Sequence, residues 1–179
     1  MVLTQLHTAE DLERLAADDE DFELVEGVLV SMSPSSFGHA DVQMTIGALL
    51  RAHVTDHGLG KVVGEAGFLL RREPDTVLAP DVAFVAAERL PKKTSGFVEL
   101  APDLVVEIVS PGNSPGDIER KIGIYLQSGV RAVWIVYPDE RQVVVHTPQH
   151  PPKVFTVSDQ IDGGAVLPGL ALQVEEIFA

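Results

Sequence analysis

Two acidic residues stand where apolar sequence predicts buried strands. Glu107 lies in LVVEIVSPG, residues 104–112, with apolar neighbours on both sides before a Ser-Pro-Gly break. An ionised carboxylate in such a run costs on the order of several kcal/mol unless a partner compensates. Asp81 opens the second run, PDVAFV, directly behind a proline that cannot donate to a sheet ladder. Side chains alternate along a strand, so Val105, Glu107 and Val109 share one face, and Asp81 shares a face with Ala83 and Val85. If the two strands pair antiparallel across the 86–103 connection, with Val85 near Leu104, Asp81 falls beside Glu107 or Ile108. Two carboxylates that close repel each other unless a cation sits between them. An oxygen-lined gap suits Mg²⁺ or Mn²⁺.

A third group comes from the segment that follows. Ser114, Pro115 and Asp117 form a helix-start pattern and Gly129 a stop, which predicts a helix within 114–128. At about 100° per residue, Ile124, Lys121, Tyr125, Ile118, Ile122 and Leu126 fill one arc. Lys121 is the single charge in that arc, so it is predicted to point inward, toward the strand carrying Glu107. A purely structural Glu–Lys pair is the competing reading.

Other polar residues carry weaker signals. His53 and His57 are four apart on a predicted helix, a spacing that can bind zinc; His53 also lies near the apolar stripe and His57 near the helix end. Glu65 and Glu26 read first as a solvated strand residue and a turn residue, and only second as site acids. His39 and Asp41, near the start of the same helix, read as capping or exposed residues. Lys92 and Lys93 read as solvated loop lysines, and Trp134 and Tyr137 as core and strand end.

The elements that must position these groups can be placed from the pattern. TAEDLERLAADD suits a short helix begun by Thr8 and Asp11, and FELVEGVLVSM two strands about Glu26-Gly27. A long helix is predicted from Ser36 to about His57, with Val42, Ile46, Leu49, Leu50 and Val54 on one stripe. KVVGEAGFLL and APDVAFV read as strands. DLVVEIVS, the 114–128 helix and AVWIVY form a crossover unit, which makes its two strands parallel. QVVVHT is expected as an antiparallel neighbour, KVFTV as a further strand, and LPGLALQVEEIF as an apolar tail. The expected class is α/β with a mixed sheet, in one domain over residues 1–179.

Composition sets outer limits. The chain has 179 residues and no cysteine, which excludes disulfides and thiolate metal sites. No apolar run approaches the roughly 18 residues of a membrane span, and the N-terminal sequence lacks signal-peptide order, so a cytoplasmic protein is expected. Net charge is −14, with nine acids against Arg14 in residues 1–30, while residues 61–93 hold six bases and five acids. This acidity weighs against a phosphate-backbone partner without excluding it.

PDVAF, then DLVVEIVSP, then a lysine-bearing helix, then GVRAVWIV resembles the Uma-type endonucleases of the restriction-endonuclease-like PD-(D/E)XK superfamily. The likeness runs from FELVEGVLVSMSP to LPGLALQVEEIF. It implies a restriction-endonuclease-like core, a mixed central sheet flanked by helices, with a metal-dependent phosphodiesterase site. Carried across, Asp81 matches the aspartate of the motif and Glu107 its second acid. The lysine usual two residues after that acid is Val109 here, and Lys121 is the candidate replacement. The resemblance implies catalysis by Asp81, Glu107 and Lys121, and one or two Mg²⁺ or Mn²⁺ ions on Asp81, Glu107 and the Ile108 carbonyl. It further implies DNA as the partner; a homodimer would provide the two sites that two cuts in a duplex require. The alternatives are a nuclease-fold binding or regulatory module without catalysis, and a hydrolase of small phosphoesters.

Overall fold

The computed structural model describes residues 6–16, 22–32, 34–92 and 95–179. In chain order the elements begin with α1 (Ala9–Ala16), β1 (Phe22–Val25), β2 (Val28–Ser31), α2 (Phe37–Asp56) and β3 (Gly60–Val63). Next come β4 (Phe68–Arg71), β5 (Thr76–Leu78), β6 (Val82–Ala86), β7 (Leu104–Ile108) and α3 (Pro115–Gln127). The chain closes with β8 (Ala132–Tyr137), β9 (Gln142–His146), β10 (Lys153–Thr156), β11 (Gln160–Asp162), β12 (Ala171–Gln173) and α4 (Val174–Ile177). These elements fall into two compact units, one from residues 1–34, 66–79 and 91–101, the other from 35–65, 80–90 and 102–179.

The first unit is a four-stranded sheet in the order β2-β1-β5-β4 with α1. Thr8 and Asp11 begin α1 as a capping box: the Thr8 N–H donates to Asp11 at 2.9 Å and the Asp11 N–H donates to Thr8 Oγ1 at 3.2 Å. Glu26 and Gly27 both have positive φ, 53° and 79°, as a two-residue hairpin turn requires. Ala9, Leu12, Leu24, Leu69 and Val77 form the core of this unit. Asp75 ties it together, accepting from the Ala9 N–H at 2.9 Å and from Arg72 at 3.0 Å.

The second unit is built on a six-stranded sheet in the order β10-β9-β8-β7-β6-β3. β7 and β8 are parallel, joined by the α3 crossover, and β6 and β7 are antiparallel. This is the mixed, helix-flanked sheet the sequence predicts. α2 begins at Ser36, whose side chain accepts from the His39 N–H at 3.2 Å. Its stripe of Val42, Ile46, Leu50 and Val54 packs in one cluster with Val82, Phe84, Leu104, Val106 and Trp134. Each such side chain contributes roughly 1.5–3 kcal/mol when fully buried. The β11–β12 hairpin and α4 add Ile161, Leu172, Val174 and Ile177 to the same cluster.

Asp103, 1% exposed, anchors the far end of this sheet. Its carboxylate accepts from the Ala86 N–H at 2.9 Å and pairs with Arg89 at 2.7 Å and Arg131 at 3.5 Å. A buried carboxylate is tolerable where it is paired and hydrogen-bonded in this way.

Two expectations about strands are corrected. KVVGEAGFLL is not one strand but two, β3 and β4, which belong to different sheets. The break falls at Gly64-Glu65, where Glu65 adopts φ 51°. The stretch between KVVGEAGFLL and APDVAFV, given no element from the sequence, contains a further short strand, β5.

Candidate active site

Asp81 and Glu107 come together at one end of the six-stranded sheet. Val82 pairs with Val106 and Ala83 with Val105, so one more step of the register sets Asp81 opposite Glu107. Directly opposed residues of an antiparallel pair have Cβ atoms about 4.5–5.5 Å apart. Asp81 also clasps the next residue of β7: its Oδ2 accepts the Ile108 N–H at 2.6 Å. The register differs by one residue from Val85 near Leu104, since Leu104 faces Phe84; Asp81 lies just beyond the last pair, Val82 with Val106, and its contact on β7 is with the Ile108 N–H.

Each acid is held by a pair of side chains one turn apart on its own helix. From α3, the Lys121 Nζ stands 3.2 and 3.3 Å from the two Glu107 carboxylate oxygens, and the Tyr125 hydroxyl donates to Oε1 at 2.5 Å. The i, i+4 spacing puts both groups on one face of the helix. Tyr125 is fully buried, and a buried phenol is stabilised by such a partner. The inward-facing ammonium is therefore placed as the helical arc predicts.

From α2, His39 Nε2 lies 3.0 Å from Asp81 Oδ1, and the Gln43 Nε2 donates to the Asp81 carbonyl at 3.1 Å. Gln43 donates equally to Glu65 Oε1 at 3.1 Å. The Glu65 N–H in turn donates to the Pro80 carbonyl at 3.1 Å. The hydrogen bond to Asp81 raises the His39 pKa, against the burial that opposes its charge, with support from the charges of Asp81, Glu107 and Glu65. His39 Nδ1 is buried without a hydrogen-bond partner.

Several weaker sequence signals resolve differently. His39 is not exposed but 92% buried and directed at Asp81. Glu65 is exposed, as a solvated residue would be, yet hydrogen-bonded into this group. Glu26 pairs with Arg71 at 2.6 Å in the first unit. Trp134 is core, and Tyr137 ends β8. Lys92 is exposed, and Lys93 lies outside the described residues. Tyr125 and Gln43 were not singled out from the sequence. The arc containing Tyr125 was legible, but its hydroxyl partner was not; Gln43 carried no distinguishing signal.

The donor set suits a hard divalent cation. Asp81 and Glu107 side chains are 16% and 15% exposed and present carboxylate oxygens at a sheet end. Among the described residues no group of three or more His, Asp or Glu side chains is placed to hold a metal ion. Mg²⁺ does not need such a group, because it keeps several waters and takes one or two carboxylates together with substrate phosphates.

Beyond Val109 the same end of the sheet opens into a cleft of about 360 Å³. Val109, Ile118, Ile122 and Val144 give it apolar walls, and Glu119, Asp139 and Glu140 line it with acids.

This architecture, with two acids on adjacent antiparallel strands and a crossover helix behind them, is that of the restriction-endonuclease-like class. Residues 9–175 match the model of the Uma2 family, described as "putative restriction endonuclease", and the chain belongs to that family. The chain is similar to the crystal structure of a "putative nuclease belonging to DUF820" from Anabaena variabilis, at 22% identity and a TM-score of 0.83 over 96% of this chain and 97% of that one. That likeness establishes the shared fold. No curated protein matches the chain. Among the described residues no helix is long and apolar enough to cross a membrane.

Proposed function

We propose that this protein is a metal-dependent endonuclease that hydrolyses phosphodiester bonds in DNA. The observation that carries the reading is the convergence of Asp81 with Glu107 in register while Lys121 reaches Glu107 from α3. Asp81 and Glu107, with the Ile108 carbonyl, would hold Mg²⁺ or Mn²⁺. The ion supplies Lewis-acid stabilisation of charge on the phosphate and eases deprotonation of the attacking water. Lys121 orients that water or screens the charge that develops on the phosphate. Tyr125 and His39 fix the two carboxylates so that neither reorganises as charge develops.

The test is cleavage of supercoiled and linear DNA with Mg²⁺ or Mn²⁺ by wild type, Asp81→Asn and Glu107→Gln. Loss of about a hundredfold or more in both variants, with the fold retained, is the expected result. Equal activity in all three rejects the assignment.

A second reading has its own support. Net charge of −14 and the acidic cleft beyond Val109 are unfavourable to a polyanion. They favour either a nuclease-fold module without catalysis or a hydrolase of small phosphoesters. Mn²⁺ calorimetry separates the first of these from an enzyme, because a module without catalysis needs no ion at Asp81 and Glu107. Parallel assays on DNA and on a small phosphodiester separate the second.

A further inference from the structure

We propose that His53 and His57 form a two-imidazole site for a divalent transition metal, Zn²⁺, Ni²⁺ or Cu²⁺, at the C-terminal end of α2. The site stands apart from the acidic one: His53 follows His39 by fourteen residues, about 20 Å along the helix axis.

Three features of the pair converge. Four residues separate the two histidines, which sets them one above the other on a helix face, and their ring centroids are 4.3 Å apart. Two imidazoles sharing one ion at metal–N distances of about 2.0–2.1 Å have ring centres separated by roughly 4.5 Å at the right-angled geometry of Ni²⁺ or Cu²⁺, and by roughly 5 Å at a tetrahedral Zn²⁺.

Both tautomers are fixed by backbone carbonyls. His53 Nε2 lies 3.1 Å from the Pro168 carbonyl, and His57 Nδ1 lies 2.9 Å from the His53 carbonyl. A carbonyl oxygen can only accept, so each of those nitrogens carries a proton in the neutral ring. The lone pairs are then left on His53 Nδ1 and His57 Nε2. A metal-binding imidazole characteristically donates its other N–H to such an acceptor, which orients the ring and raises its basicity.

The surroundings also favour a cation. His57 is the C-cap of α2, at the negative end of the helix dipole. His57 is exposed and His53 partly so, which gives the ion access. Gly169, at φ 78°, leaves open the space beside the His53 ring that a longer side chain would enter. Imidazole prefers Zn²⁺, Ni²⁺ and Cu²⁺ to the hard cations that suit Asp81 and Glu107.

The experiment is titration of the full chain with Ni²⁺ alone, by calorimetry, beside His57→Gln, His53→Gln and Asp81→Asn. Wild type should bind one ion per chain in a histidine-dependent step, weakened about 10-fold or more by either histidine substitution, since even an orienting partner is worth that much, and unchanged in Asp81→Asn. His57→Gln is the decisive variant, since its side chain is exposed and its loss leaves the His53–Pro168 contact in place. Cu²⁺ should broaden the amide resonances of residues 53–58 first. The proposal is overturned if wild type binds no Ni²⁺, if the affinity is undiminished in His57→Gln, or if broadening centres on His146 and His150.

Discussion

Lys121 Nζ stands within 3.3 Å of both carboxylate oxygens of Glu107, so one ammonium bridges the two oxygens of the acid proposed to hold metal. A divalent ion at Glu107 must therefore share it with, or displace, a positive charge. Lys121→Met should tighten Mn²⁺ binding by roughly threefold to tenfold, the scale of one screened charge contact, while abolishing cleavage. Calorimetry and a DNA assay on the same preparation check the two halves. Weaker Mn²⁺ binding in the variant would make Lys121 a support for the metal site rather than a competitor.

Tyr125 holds the other side of that carboxylate. Tyr125→Phe keeps the ring packing and removes one hydrogen bond to a charged acceptor, so it should cost about 1.5–3 kcal/mol in urea unfolding. If Glu107→Gln is already present, the same substitution should cost less, because the acceptor is neutral. Additive effects in that double-mutant cycle would show that the two groups do not interact.

His39 gives a pH signature in chelator-treated protein. Its folded pKa is raised above the ordinary histidine value of 6.5 by the Asp81 hydrogen bond. A raised pKa means the contribution is fully present below that ordinary value and is lost as pH rises through the folded one. The stability gap between wild type and His39→Gln should be largest near pH 6 and narrow at alkaline pH. A gap independent of pH between about 6 and 9 would contradict the charged His39–Asp81 pair.

Asp103 tests the opposite end of the sheet. Asp103→Ala leaves Arg89 and Arg131 without this shared carboxylate and the Ala86 N–H without its acceptor, and should destabilise by about 3–5 kcal/mol. Denaturant melts check the loss. Metal affinity at Asp81 and Glu107 should persist wherever the variant remains folded, since the two ends share no side chain.

Much of this arrangement was legible because it follows local periodicity. The apolar runs gave β6, β7 and β8, the stripe gave α2, and the capping residues with the Lys121 arc gave α3 and its inward face. Register was less legible: the long connection between β6 and β7 carries no signal that chooses Phe84 over Val85 as the partner of Leu104. Gly64 and Gly67 flanked the break between β3 and β4, but alternation continued across them and concealed it. His39 and Asp81 are 42 residues apart. A polar residue near a helix start has an ordinary capping role, so its burial could be learned only from the packed sheet. Gln43 and Tyr125 were hidden for the same reason, because their hydrogen-bond partners come from other elements.

Val109 stands where a strand-borne lysine would be, and the ammonium arrives from α3 instead. A lysine on the strand would be fixed by the pleat in a constant relation to its acid. On α3 it moves as the helix moves, so a small rotation of that helix would carry the ammonium off the carboxylate without altering a single strand. The spacing between ammonium and acid is thereby set by the packing of helix on sheet rather than by the strand that carries the acid.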